Sequence, residues 1–288
     1  MSVVEDVAEV EGFESALAPW WSFTKTVLAA AALALVADGR LSLDALVHGR
    51  PFTLRHLLQH RAGLPEYGWL TAYNEAVANC ETPWTRGELL RRVQADKLVF
   101  EPGQGWAYSN VGYMLVRELI ENAACENLSA ALSRLVLTPL GITDVEIAHG
   151  PADLATTIWE NPAGYHPGWV YHGLLVGSET NAALLLHRLL GGALLPAALL
   201  CEMLSQYAVG GPVPGRPWRT AGYGLGLMIG IGETGATYIG HTGGGPGSTM
   251  AVYQRGPERH RSEPRRTAAV FARTDDPALV ERHAMTLA

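Results

Sequence analysis

From Ser22 to Ala37 the chain reads SFTKTVLAAAALALVA, with a single charge at Lys25 and apolar or small residues on nearly every side. A helix that is apolar all round has no face to offer to water, so this segment belongs in the middle of a folded body. The rest of the chain has to wrap it. A secretory signal would place Lys or Arg ahead of the apolar run, but Glu5, Asp6, Glu9, Glu11 and Glu14 precede Trp20 and no basic residue does. A membrane span needs about 20 apolar residues. This run goes only from Val27 to Ala37 and closes on "DGR", a helix-ending glycine followed by a charge. The run therefore reads as a buried helix, and the missing leader places the expected location in the cytoplasm, away from any membrane.

A chain of 288 residues with 48% hydrophobic content has enough apolar surface for a large core, expected as one unit over 1–288. The formal net charge is −7, and the only basic cluster is "RHRSEPRR" over 259–266, so nucleic acid is not an expected partner. Cys80, Cys125 and Cys201 are odd in number and far apart, with no C-x-x-C pair. They are expected to be reduced and mostly buried.

"FTLRHLLQHRAGLPEYG" reads as a short helix stopped by Gly63 and Pro65. Looser apolar spacing from Gly68 to Phe100 suits surface helices, and "EPGQGWAYSN" must be loop. A helix through "VGYMLVRELIENAA" stacks Val111, Leu115, Leu119 and Ala123 on one face. Two more follow in "SETNAALLLHRLL", with Ser178 as N-cap, and "LLPAALLCEMLSQY". The texture then changes to four β-rich runs, "YGLGLMIGI", "ATYIGHTG", "STMAVYQRG" and "TAAVFART", in the pattern of an antiparallel meander, before a last helix in "PALVERHAMTLA". This is an α+β layout, with a helical region over about 40–205 and a sheet mainly over about 220–275.

Ser22 and Lys25 stand three positions apart, so on a helix beginning near Ser22 they share one face and can share a proton. Burial beside the apolar run and the positive helix end both disfavour the ammonium of Lys25, which is a route to activating a serine without histidine. In "YSN", Tyr108 and Asn110 are two apart in a stretch expected to be extended, so they point the same way while Ser109 points away. "HTGG" puts His241, Thr242, Gly243 and Gly244 at a strand end, with glycines where a substrate backbone would approach closely.

The order S-x-x-K, Y-x-N, H-T-G resembles the serine β-lactamase and penicillin-binding-protein superfamily, in its class C-like branch of esterases, D-amino-acid peptidases and D-alanyl-D-alanine carboxypeptidases. "FTLRHLLQHRAGLP", "FEPGQGWAYSNVGYMLV", "TPLGITD" and "YGLGLMIG" are similar to segments of that branch, in its order, and the likeness runs from about Trp20 to the C-terminus. The resemblance implies a β-lactamase/transpeptidase-like fold, an antiparallel sheet flanked by helices with an all-helical region. It further implies an acyl-enzyme on Ser22, with Lys25 and Tyr108 passing its proton and the Tyr108 phenol lowered in pKa by a neighbouring ammonium. Asn110 would orient the substrate and Lys25, and the backbone N–H groups of Ser22 and Gly244 would form the oxyanion hole. A peptide-like substrate would add along that strand edge.

Two departures stand out. Relatives carry more chain ahead of the nucleophile, so the sheet is expected to be smaller or more open at one edge. His241 occupies a place where many relatives carry lysine, which tilts the substrate toward uncharged esters or amides, although a histidine there still offers a hydrogen bond to Tyr108 or a carboxylate. The expected function is a serine hydrolase of small esters or amides, without metal or organic cofactor. The alternatives are a β-lactamase or D-alanyl-D-alanine peptidase, and a non-catalytic, ligand-binding descendant of the fold. His56 and His60 have the spacing of a metal pair but no third ligand, and are expected in capping and core roles. "YHPGWVYHG" reads as a packed loop that could line the cleft, and Trp20 and Trp21 as core residues, one of which could wall the pocket. "GLGLMIGIG" lacks the following helix that a phosphate loop needs.

Overall fold

The apolar run does form the buried helix its composition demands. The computed structural model describes residues 1–5, 16–256 and 265–288. Asp6, Glu9, Glu11 and Glu14, and the part of the basic cluster up to residue 264, lie outside them. In chain order the elements begin with β1 (Ser2–Glu5), β2 (Leu17–Pro19), α1 (Thr24–Ala37), α2 (Leu54–Leu58), α3 (Thr71–Ala78), α4 (Arg86–Arg92), α5 (Asn110–Ala124) and α6 (Leu128–Leu132). They continue through β3 (Glu146–Ile147), α7 (Pro151–Ala155), β4 (Leu175–Ser178), α8 (Glu179–Leu190) and α9 (Ala197–Leu204). The last part holds β5 (Tyr207–Gly210), β6 (Trp218–Tyr223), β7 (Met228–Gly232), β8 (Thr237–Gly245), β9 (Ser248–Arg255), β10 (Arg266–Ala272) and α10 (Pro277–Leu287).

Every α1 residue from Thr24 to Leu33 is buried, Lys25 included. Alanine and leucine favour the helix, and the alanines let neighbouring elements approach closely. α1 packs along α5, which presents Val111, Leu115 and Val116 to the core. α3 and α4, in the loosely patterned stretch, are largely exposed. Side chains close the helix starts as the sequence suggests: Ser178 accepts from the Asn181 N–H at 2.9 Å for α8, and Ser109 from the Gly112 N–H at 3.1 Å for α5.

The large sheet has seven antiparallel strands in the order β1-β10-β9-β8-β7-β6-β5. β7 to β10 are the four anticipated runs, in the anticipated meander. The two-residue period sorts its side chains between layers: Met250, Val252 and Ala269 join the main core with α1 and α8, while Ala251, Tyr253 and Val270 face Val280, Ala284 and Met285 of α10. Residues ahead of Ser22 do supply strands, β1 at the edge beside β10 and β2 in a three-stranded sheet ordered β2-β4-β3. These, with β5 and β6, went unrecognised because short strands are defined by their pairing partners more than by local residue choice.

The cysteines differ from expectation. Cys80, Cys125 and Cys201 are free but exposed. Cys80 and Cys125 sit where α3 and α5 terminate, in left-handed backbone (φ 54° and 57°), and helix ends face solvent. His56 closes a capping box with Thr53 at the start of α2, and His60 is buried. Among the described residues no helix is long and apolar enough to cross a membrane.

Candidate active site

Ser22 lies in a short 3-10 turn, Trp21–Phe23, that leads into α1. The turn is pinned from both sides. The Leu175 N–H of β4 donates to Thr24 Oγ1 at 3.2 Å, and Thr26 Oγ1 donates to the Gly226 carbonyl at 2.7 Å. Trp21 adopts φ 42°, a left-handed conformation unusual for a bulky residue, and costs about 1–3 kcal/mol. Its surroundings hold it there: the indole Nε1 donates to Ser248 Oγ at 3.0 Å, and Trp159 and Tyr165 meet the ring edge-on at 5.3 and 5.6 Å. The glycines of β8 make the room. A Cβ at Gly243 would overlap the Ser22 backbone nitrogen, and one at Gly245 the Trp21 ring.

Lys25 is fully buried, and its Nζ stands 3.1 Å from Ser22 Oγ. It also lies 5.0 Å from the centroid of the Tyr108 ring and 5.6 Å from that of Tyr113. Burial pulls its pKa down to about 7, with the carboxylate of Glu66 acting in the opposite direction. At neutral pH a large fraction of Lys25 is thus the free amine. Tyr108 behaves differently from the sequence expectation. Burial raises its phenol well above the usual value, against a smaller lowering from the Ser22 hydroxyl, so it stays neutral. Lys25, only partly protonated at neutral pH, is not the fixed cation that would lower it.

Asn110 opens α5, and its side chain points to Glu66: Nδ2 donates to Glu66 Oε1 at 2.9 Å, and its backbone N–H donates to Oε2. Asn110 Oδ1 is buried and meets no hydrogen-bond partner among the described residues. Ser109 turns away, as expected, into its capping role. Glu66 was missed, since "LPEYG" carries no signal beyond a turn.

His241 and Thr242 lie on opposite faces of β8. The His241 Nδ1 is 2.8 Å from the Thr242 carbonyl, which can only accept, so Nδ1 carries the proton. Nε2 therefore accepts from the Tyr223 hydroxyl at 2.8 Å. With both ring nitrogens engaged, no exposure, and a pKa lowered by burial to about 3, His241 remains neutral and faces Tyr223 rather than Tyr108 or the cleft. Thr242 points to α10, donating to Glu281 Oε1 at 2.7 Å. That buried carboxylate also holds Arg216. β7 pairs with β8 as far as Met228 opposite Gly240, so among the described residues 241–245 have no strand partner on that side.

That edge and Ser22 border a cleft of about 820 Å³. Tyr108, Asn110, Thr242, Gly243 and Gly244 line it; Lys25 and His241 lie behind its surface. Much of its lining is aromatic, with Tyr67, Tyr73, Tyr165, Trp169 and the 86% exposed Trp69. The "YHPGWVYHG" loop thus does line the cleft, and so does Trp21, while Trp20 is core. The loop brings a residue that sequence reasoning did not assign: His172, whose Nε2 is 3.2 Å from Lys25 Nζ. Its only signal was membership in a histidine-rich stretch.

A profile of the Beta-lactamase family matches residues 14–287. Over 143 residues, 43% of this chain, the sequence is 34% identical to esterase EstB of Burkholderia gladioli. Over 113 residues, 36% of this chain, it is 32% identical to penicillin-binding protein 4* of Bacillus subtilis (strain 168). These matches span 36% and 24% of the relatives' own lengths, well under two thirds of either. Among solved structures, the D-amino acid amidase of Ochrobactrum anthropi SV3 complexed with D-phenylalanine superposes with a TM-score of 0.73 at 21% identity, covering 93% of this chain and 84% of that one. An antiparallel sheet flanked by helices, matched over almost its whole length by one family profile and superposing on an enzyme of the same fold, makes this chain a member of the Beta-lactamase family with the β-lactamase/transpeptidase-like fold.

Proposed function

We propose that the protein is a serine hydrolase that forms an acyl-enzyme on Ser22 and hydrolyses a small, uncharged ester or amide with an apolar acyl group. One observation carries the reading: a fully buried lysine, lowered in pKa to about 7, stands 3.1 Å from a serine hydroxyl at the edge of a cleft. Such an amine is a general base at neutral pH. As Ser22 Oγ bonds to the substrate carbonyl carbon, its proton passes to Lys25 Nζ. The resulting ammonium returns a proton through the neutral Tyr108 phenol to the leaving oxygen or nitrogen as that bond breaks. Water then repeats the sequence to release the acid and restore Ser22 Oγ–H. The backbone N–H groups of Ser22 and Gly244 are the proposed oxyanion donors, and Asn110, in the cleft lining, is the proposed substrate-orienting residue.

The neutral, fully engaged His241 offers no charge to a substrate carboxylate, which supports uncharged substrates; the aromatic lining supports an apolar acyl group. Three free, exposed cysteines fit a reducing compartment, and the reading places the protein in the cytoplasm. The second reading, a β-lactamase or D-alanyl-D-alanine peptidase, draws support from the edge of β8 at 241–245 that has no strand partner among the described residues, where a peptide could add as a strand. Intact-mass spectrometry after brief exposure to a p-nitrophenyl ester or a penicillin tests both. The expected result is an acyl adduct from the ester on wild type, absent in Ser22→Ala. An adduct from penicillin alone favours the second reading. No adduct and no turnover with either favours a non-catalytic, ligand-binding descendant.

A further inference from the structure

His172 is 2% exposed and lies near the end of the cleft-lining loop, ahead of β4. Its Nε2 is 3.2 Å from Lys25 Nζ, on a lysine that already stands 3.1 Å from Ser22 Oγ. Lys25 is thus held between a hydroxyl and an imidazole, and which way each hydrogen bond runs determines what the amine can do. Burial, together with the neighbouring Lys25, His241, Arg117 and His60, keeps the imidazole neutral. Its other nitrogen, Nδ1, is buried and meets no protein group among the described residues. A buried polar group of this kind needs an explanation, because leaving one unpaired costs about 1–3 kcal/mol.

We propose that His172 is a positioning residue for the base: Nε2 accepts one N–H of Lys25, which takes that hydrogen away from the Ser22 side and favours orientations with the lone pair of the amine on the Ser22 hydroxyl. The inference rests on the acyl-enzyme reading above. A neutral amine has two hydrogens and one lone pair, and its productive orientation is the one with the lone pair on Ser22 Oγ–H. Without an acceptor on the far side, rotation about the Cε–Nζ bond leaves hydrogens facing Ser22 in most orientations. With Nε2 in place, one hydrogen is committed away from the serine. The same bond is stronger to the ammonium than to the amine, so it also holds the ammonium steady after it has taken the serine proton. In this arrangement His172 carries its hydrogen on Nδ1, which finds no acceptor among the described residues, so the bond to lysine at Nε2 is kept at the cost of that unpaired donor.

Two measurements on the full-length protein test this. Nitrogen-15 NMR of labelled histidines, with His172 assigned through His172→Gln, reads the tautomer without any need for activity. The Nδ1–H form is expected, and an Nε2–H form, which would donate into the lysine lone pair, overturns the proposal. Kinetics on the ester then compare His172→Gln, whose Oε1 can replace Nε2 as acceptor, with the apolar His172→Leu. For His172→Leu, kcat is expected to fall at least tenfold, part of the roughly 10²–10⁴ that a general base contributes, with KM little changed and the acidic limb of the pH profile displaced downward. His172→Gln is expected to recover most of kcat and the wild-type limb. Equal loss in both variants, or no loss in His172→Leu at unchanged Tm, overturns the proposal. A Ser22 adduct on wild type shows that the acyl-enzyme reading itself stands, so its failure is distinguished from a failure of the role given to His172.

Discussion

Lys25 is the residue whose chemistry depends most on its surroundings. An exposed lysine is protonated at neutral pH; this one is lowered to about 7 because burial disfavours the ammonium more than Glu66 supports it. A base is active in its unprotonated form, so kcat/KM should rise as pH rises through about 7 and level off above it. A profile flat from pH 5 to 9 would remove Lys25 from that role. The S-x-x-K spacing made this pair legible because serine and lysine are local neighbours, three positions apart across the 3-10 turn that leads into α1. Glu66 and His172 were not legible, since they act on Lys25 from other parts of the chain. Tyr108 shows where local spacing stops: the family resemblance implies a phenol lowered by a cation, whereas burial acts on both members, raising the phenol and leaving Lys25 only partly protonated.

Among the elements, β8 does the most to shape the site. Its alternating faces send Thr242 toward Glu281 of α10, while Gly243 and Gly245 take the 3-10 turn that carries Ser22. The triple glycine is therefore a matter of clearance as well as substrate approach. Gly243→Ala would drive a methyl into the Ser22 backbone nitrogen, backbone that a rotamer change cannot move. A loss of about 1–3 kcal/mol is expected from overpacking, with activity falling by more than tenfold because the turn must shift. Denaturant unfolding and ester turnover measured together would check it, and wild-type values in both would show that the strand tolerates the methyl. The strands of the meander were readable from their β-branched and aromatic runs. β2, β3 and β4 were not, because so few residues carry too little pattern and only their mutual pairing makes them strands.

Across the whole molecule, a buried lysine couples the site to stability. Its folded pKa of about 7 lies below the 10.5 of the exposed group. Between those values the unfolded chain binds more protons than the folded one, so stability from this group rises with pH over that interval, and the cost of burying the ammonium is fully present below about 7. Lys25→Met should therefore melt higher than wild type at pH 6, with the gap narrowing toward pH 10. Each ~1 kcal/mol corresponds to about 2–4 °C in a large domain. A pH-independent gap in scanning calorimetry would contradict the linkage. The sequence by itself determined the buried central helix, the juxtaposition of Ser22 and Lys25 at its entry, the C-terminal meander and the family, because each is written in the spacing of near neighbours. Tertiary structure decided how far Lys25 and Tyr108 are buried, that His241 turns to Tyr223, that the charge of Glu66 acts on the lysine and that His172 lies beside it. Those features depend on which distant segments share a dry interior, and desolvation and hydrogen-bond partners exist only once the chain has closed.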